Sequence, residues 1–255
     1  MGAEVAVALI RCDFFSDVLE LATSMTVVLP QVTTARIGTS TAERPGPPPV
    51  LYLLHGLSDD DSMWMRRTSI ERYAEDLGLA VVMPQVHRSF YTDQAHGGRF
   101  WTFLADELPQ IVSGFFQVST RREDTFVAGL SMGGYGALRW ALRRPERFAA
   151  AACLSGALDV NRLRESGDRD ELMHLVFGGR EITGTDSDLF HLLDQADVAA
   201  LPRLYLCCGT EDELIEDGRR FAGAAAARGA DVTTDFGPGA HEWSYWDATI
   251  RDVLA

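Results

Sequence analysis

The chain has 255 residues, of which 46% are hydrophobic and 24% charged. That composition excludes a disordered chain and suits one domain, residues 1–255, with a sizeable core. The formal net charge of −14 repels phosphate backbones and anionic membrane surfaces. The expected partner is therefore a small molecule, with no nucleic acid and no membrane; a homo-oligomer is compatible with the sequence but not defined by it.

Residues 3–10 are mildly apolar, but Glu4 interrupts them and Arg11, Cys12 and Asp13 stand where a cleavage site would need small residues. No signal peptide is expected. No run of about 18 apolar residues suggests a membrane-spanning helix. Residues 5–11 and 23–29 read as two strands, hairpin-like, at one edge of a sheet. Arg44-Pro45-Gly46-Pro47-Pro48-Pro49 is a breaker-rich loop. Residues 50–54 form a continuous apolar run suited to a strand buried on both faces.

Residues 69–78 carry a helical pattern that ends in Gly78, and 79–83 form another buried strand, stopped by Pro84. Residues 103–116 look helical, with Pro109 as a kink or a local start. A strand at 125–129 and a helix at 133–144 follow, then strands at 149–154 and 204–208. An alanine-rich helix at 221–228, a short strand near 232–234 and a helix at 248–254 close the chain. Strands alternating with helices predict an α/β fold, a mostly parallel central sheet with helices on both faces. Residues 159–201 mix charge with glycine pairs and read as a small irregular cap segment over one end of the sheet.

Cys12, Cys153, Cys207 and Cys208 lack CxxC spacing and have no histidine cluster beside them. They read as small buried hydrophobes, and reduced thiols fit a cytoplasmic protein. The Asp59-Asp60-Asp61 run lacks the spacing of a calcium loop and reads as a solvated loop.

Gly129-Leu130-Ser131-Met132-Gly133 matches the G-x-S-x-G elbow, with an apolar strand before it and a helix after it. The pattern marks Ser131 as a nucleophile, and a neutral serine needs an adjacent base. Downstream, His174 and His191 fall in amphipathic surroundings, whereas His241 lies in the turn-rich Gly237-Pro238-Gly239-Ala240-His241 stretch between the last strand and the last helix. The orienting acid belongs on the loop after the strand at 204–208, where Glu211, Asp212 and Glu213 compete. Acyl chemistry also needs two N–H donors for the oxyanion. One is the backbone N–H of Met132, after the nucleophile. The other is that of Leu57, in the His55-Gly56-Leu57 loop after the strand at 50–54. Among bulky residues, Tyr91, Trp243 and Trp64 are the candidates to shape the substrate pocket.

These residues resemble the esterase D-like family of α/β-hydrolases, closest to bacterial tributyrin-type short-chain esterases. The resemblance rests on Leu53-Leu54-His55-Gly56, Arg67-Thr68-Ser69-Ile70-Glu71-Arg72, Val82-Met83-Pro84, Tyr91-Thr92-Asp93, Asp106-Glu107-Leu108-Pro109, residues 129–136 and Leu154-Ser155-Gly156-Ala157. It implies an α/β-hydrolase fold and a serine carboxylic-ester hydrolase for short-chain acyl esters. It also implies an acyl-enzyme and no cofactor or metal. It selects Asp212 among the three carboxylates, because relatives use Gly-Thr-x-Asp at that turn. S-Formylglutathione hydrolases of the family usually carry histidine after the Gly-Gly of the elbow, where this chain has Tyr135. Alternative readings are an acyltransferase, a thioester hydrolase of that type, and a non-catalytic binding protein that kept the fold.

Overall fold

The computed structural model describes residues 4–33 and 46–255. The first two residues of the breaker-rich loop, Arg44 and Pro45, lie outside the described residues. One eight-stranded sheet runs in the order β1-β2-β4-β3-β5-β6-β7-β8. Its first two strands, β1 (Glu4–Ser16) and β2 (Leu21–Thr33), form an antiparallel hairpin, and β2 also pairs antiparallel with β4 (Ala80–Pro84). All other pairings are parallel, among β3 (Val50–Leu54), β4, β5 (Thr125–Leu130), β6 (Ala150–Leu154), β7 (Arg203–Gly209) and β8 (Val232–Gly237).

The period-2 geometry of strands divides their side chains between two cores. Val50, Tyr52, Leu54 and Val127 join the larger cluster, while Leu51, Leu53, Ala128 and Leu130 join the smaller one on the other face. The smaller cluster is closed by α1 (Met63–Arg67), α2 (Ile70–Leu77) and α10 (Trp243–Val253), through Trp64, Ile70, Ala74, Trp246 and Ile250. On the larger side lie α3 (Phe100–Thr102), a π-helical turn at Phe103–Glu107, and α4 (Leu108–Phe115). The same side holds α5 (Met132–Arg143), buried from Met132 to Leu142, and α9 (Ile215–Ala227).

The hairpin strands run past their expected ends. The Glu107 carboxylate accepts from the Ser16 hydroxyl and from the backbone N–H of Asp17 and Val18, so a residue 90 positions away shapes the turn. Pro109 lies in the first turn of α4, after the π-helical turn, and so marks a local start, not a mid-helix kink. The helix α1 was not expected, because five residues are too few to show a period. Both α9 and α10 begin five or more residues before their predicted starts. Segment 159–201 contains α6 (Val160–Glu165), α7 (Asp170–Phe177) and α8 (Leu189–Gln195). Leu172, Met173, Val176, Phe177, Ile182, Leu189 and Leu193 bury into the larger cluster. Among the described residues, no helix is long and apolar enough to cross a membrane.

Candidate active site

The turn from β5 into α5 sets Ser131 at φ 54° and ψ −118°, a region that non-glycine residues rarely enter. The flanking glycines make that turn sterically feasible. A Cβ on Gly129 would overlap the Gly133 carbonyl, and one on Gly133 would overlap the carbonyl of Leu54. The strained residue is held on both sides. Its N–H donates to the Leu154 carbonyl at 2.9 Å, and its own carbonyl accepts from Tyr135 at 3.1 Å and Ala157 at 3.2 Å.

His241 reaches this serine across the carboxyl end of the sheet. Its Nε2 lies 3.1 Å from Ser131 Oγ, and its Nδ1 lies 2.8 Å from Asp212 Oδ2. A carboxylate accepts only, so the Nδ1 proton points at Asp212 and the Nε2 lone pair faces the hydroxyl. Asp212 also accepts from the Leu214 N–H at 2.9 Å. Burial by itself would raise its carboxyl. The hydrogen bonds from His241, Leu214 and Ser155 outweigh that effect and hold the group below its ordinary value. Of the three competing carboxylates, only Asp212 meets the histidine.

The loops carrying acid and base are laced to each other. The Thr210 N–H donates to Gly237 at 2.8 Å, and the Glu211 N–H donates to Gly239 at 2.9 Å. The Gly239 N–H returns a bond of 2.5 Å to the Glu211 carboxylate. Glu211 is thus an anchor between loops, and Glu213 is exposed at the cavity wall. The His241 ring stands edge-on to Trp246 at 4.8 Å, and the Trp246 indole N–H donates to Ser155 Oγ at 3.2 Å.

A cavity of about 630 Å³ opens above the serine, lined by Leu57, Ser131, Met132, His241, Trp243 and Trp246 among others. Met132 opens α5, where the helix offers its N–H no partner. Among the described residues, neither its N–H nor that of Leu57 donates to any protein acceptor. Two unused amides therefore border the space beside Ser131. The structure brings together Ser131, Asp212, His241, Leu57, Met132 and Trp243.

Two expected pocket residues lie elsewhere. Tyr91 is fully buried and does not line the cavity. Its hydroxyl donates to the His55 carbonyl at 2.9 Å, and its backbone carbonyl accepts from the buried Arg139 at 2.7 Å. Trp64 is buried beneath Trp243, ring edge to ring face at 5.4 Å, with its N–H given to Leu54 at 3.1 Å. Each large ring is drawn into the apolar interior because its one polar group finds a backbone carbonyl there. The Asp59-Asp60-Asp61 run is also not simply solvated. Asp59 accepts from the Gly56 N–H, Asp60 from Ser62, and the buried Asp61 from the Thr26 hydroxyl.

The Val86 N–H donates to His55 Nε2 at 3.2 Å, which leaves the Nδ1 proton for the Gly56 carbonyl at 2.8 Å. His55 thus shapes its loop. Trp246, Leu214, Leu163 and Arg88 line the cavity without having been anticipated. For Trp246 a signal existed, its place one helical turn into the segment after His241.

Residues 19–255 match the sequence model of the family described as "Putative esterase". A protein named acetyl esterase from Caldicellulosiruptor saccharolyticus is 29% identical over 215 residues, 80% of this chain and 81% of that protein. The solved structure of FphF, the fluorophosphonate-binding serine hydrolase F of Staphylococcus aureus, superposes with a TM-score of 0.89 at 33% identity, covering 98% of this chain and 97% of the other. An S-formylglutathione hydrolase from the same organism gives 0.85 at 33% identity, covering 97% of each chain.

Proposed function

This chain belongs to the esterase family of α/β-hydrolases and is a serine ester hydrolase, and from that premise we propose that Ser131, His241 and Asp212 are its nucleophile, general base and orienting acid. The observation that carries the assignment is the unbroken hydrogen-bonded line from Asp212 through His241 to Ser131, at 2.8 Å and 3.1 Å.

The reaction follows from the geometry. As Ser131 Oγ attacks the ester carbonyl carbon, its proton passes to His241 Nε2, and the carbonyl π electrons move onto oxygen. The resulting oxyanion accepts from the unused N–H groups of Leu57 and Met132. Loss of one such donor costs roughly 10²–10³ in turnover. Collapse of the tetrahedral adduct breaks the bond to the alcohol oxygen, and His241 gives that oxygen its proton. Water then enters by the same route in reverse and frees the acid. Asp212 holds the ring tautomer throughout and stabilises the imidazolium by charge. No metal or organic cofactor is needed.

The substrate in this reading is a small ester with a short acyl chain. Support comes from the acetyl-esterase relative and from a cavity walled by Trp243 and Trp246. The chain works as one catalytic unit, with segment 159–201 contributing Leu163 and Arg169 to the wall. Four unpaired cysteines fit a reducing compartment, and we place the protein in the cytoplasm.

The test is direct. Ser131→Ala should abolish p-nitrophenyl acetate turnover while the thermal midpoint stays within a few degrees. Retained turnover would refute the assignment. Similarity to an S-formylglutathione hydrolase favours a second reading, a thioester substrate. Comparing kcat/KM for S-formylglutathione and for p-nitrophenyl acetate decides between them; the ester reading expects the oxygen ester to win.

A further inference from the structure

Among the described residues, the strand β1 is the outer edge of the sheet. Long uncovered edges are templates for pairing with another chain, and most proteins shorten, bulge or cover them. In β2, the Ser24 carbonyl accepts from the Gln85 N–H, on the side away from β1. Ser24 stands opposite Asp13, and Pro30, which has no N–H, stands opposite Val7. Even-numbered residues of β2 thus direct their polar groups away from β1. By the alternation of antiparallel ladders, the odd-numbered residues of β1 direct theirs outward, away from β2.

The side chains of four of them, Leu9, Arg11, Asp13 and Phe15, share one exposed face. Leu9 is 54% exposed, Phe15 63%, Arg11 59% and Asp13 67%. Read in chain order they run apolar, positive, negative, apolar. That order is complementary to its own reverse. We infer that β1 pairs antiparallel with β1 of a second copy of this chain, about a two-fold axis at Cys12, which joins two sheets into one.

The register follows from the charges. Outward-facing residues must meet outward-facing residues, so the axis sits at a residue of the strand and not between two residues. With the axis at Cys12, Arg11 meets the partner's Asp13, and Leu9 meets the partner's Phe15, each pair occurring twice. An axis at Arg11 sets two guanidinium groups opposite each other, and one at Asp13 sets two carboxylates opposite. Like charges directly across a ladder destabilise it and opposite charges stabilise it. Within one chain Arg11 already lies 3.3 Å from Asp13 and 3.6 Å from Asp61, so the edge carries charge that a matched strand would share. The interface is isologous and closes at two copies.

Sedimentation equilibrium of the full chain tests this. A species of twice 28.0 kDa is expected. Arg11→Asp and Asp13→Arg, singly, should each weaken association about tenfold or more, because like charges then face across the axis. The double reversal Arg11→Asp with Asp13→Arg restores the match and should recover wild-type affinity. Turnover of p-nitrophenyl acetate reports folding of each variant, since none touches the site. A second readout needs no charge variant. At the axis the two Cys12 residues form a non-hydrogen-bonded pair with Cα atoms about 4.5 Å apart, within disulfide range. Copper-phenanthroline should cross-link the wild type and leave Cys12→Ser uncross-linked. A monomer at all concentrations, an assembly indifferent to both single reversals, or a double reversal that fails to rescue would overturn the inference.

Discussion

The Tyr91 hydroxyl donates to the carbonyl of His55 at 2.9 Å, two residues before Leu57 and its unused N–H. Tyr91 itself sits at φ 52°, a conformation costly for a bulky side chain. Arg139 holds its carbonyl, and Asp186, in the segment at 159–201, accepts from Arg139 in turn. A line of hydrogen bonds therefore connects that segment with the loop that carries Leu57.

Tyr91→Phe removes only the hydroxyl. A lost hydrogen bond of about 1 kcal/mol that acts on the oxyanion loop should lower kcat about fivefold. KM should stay within about twofold, because the hydroxyl does not border the cavity. Steady-state kinetics on p-nitrophenyl acetate check this. A rise in KM with unchanged kcat would place Tyr91 on the substrate instead.

Asp212→Asn keeps the shape of the acid but permits the wrong imidazole tautomer. The expected loss in kcat is roughly 10⁴-fold. Glu211→Gln, which weakens the tie to Gly239, should cost far less. Equal losses from the two variants would show that the loop tie, not the carboxylate on His241, governs the rate.

Stability should fall on the acid side for two reasons with the same sign. Burial holds His55 below its ordinary value, so the unfolded chain takes up that proton first. Its contribution is present above about pH 6.5 and declines as pH falls from there towards the folded value. Asp212 is also held below its ordinary value, against the effect of burial. Its contribution is present above about pH 4 and is lost as pH falls through the lower folded value. Thermal midpoints measured against pH should decline in two stages, and His55→Gln should flatten the first.

Trp243 is partly exposed, edge-on to both Trp64 at 5.4 Å and Trp246 at 5.2 Å, and it walls the cavity. Trp243→Ala should raise octanoyl-ester turnover relative to acetyl-ester turnover. A panel of p-nitrophenyl esters reads the ratio, and an unchanged ratio would remove Trp243 from the acyl pocket.

The parallel sheet was legible because runs such as Val50-Leu51-Tyr52-Leu53-Leu54 are apolar without interruption, which only strands buried on both faces require. The elbow was legible because strand, glycine and helix occur in fixed order around Ser131. Other features depend on partners distant in sequence. Nothing local to residues 12–18 announces that Glu107 ends the hairpin. Nothing near Tyr91 reveals that its hydroxyl turns inward to His55. Aromatic residues look alike in sequence whether they border a cavity or turn inward to a backbone carbonyl; Trp243 walls the cavity, whereas Trp64 and Tyr91 turn inward.

The most direct measurement is intact mass after reaction with a fluorophosphonate. The wild type should gain one phosphonyl group, located on Ser131 by peptide mapping, and His241→Ala should react far more slowly. Ser131→Ala should gain none. An adduct on another residue, or equal labelling of Ser131→Ala, would contradict the account.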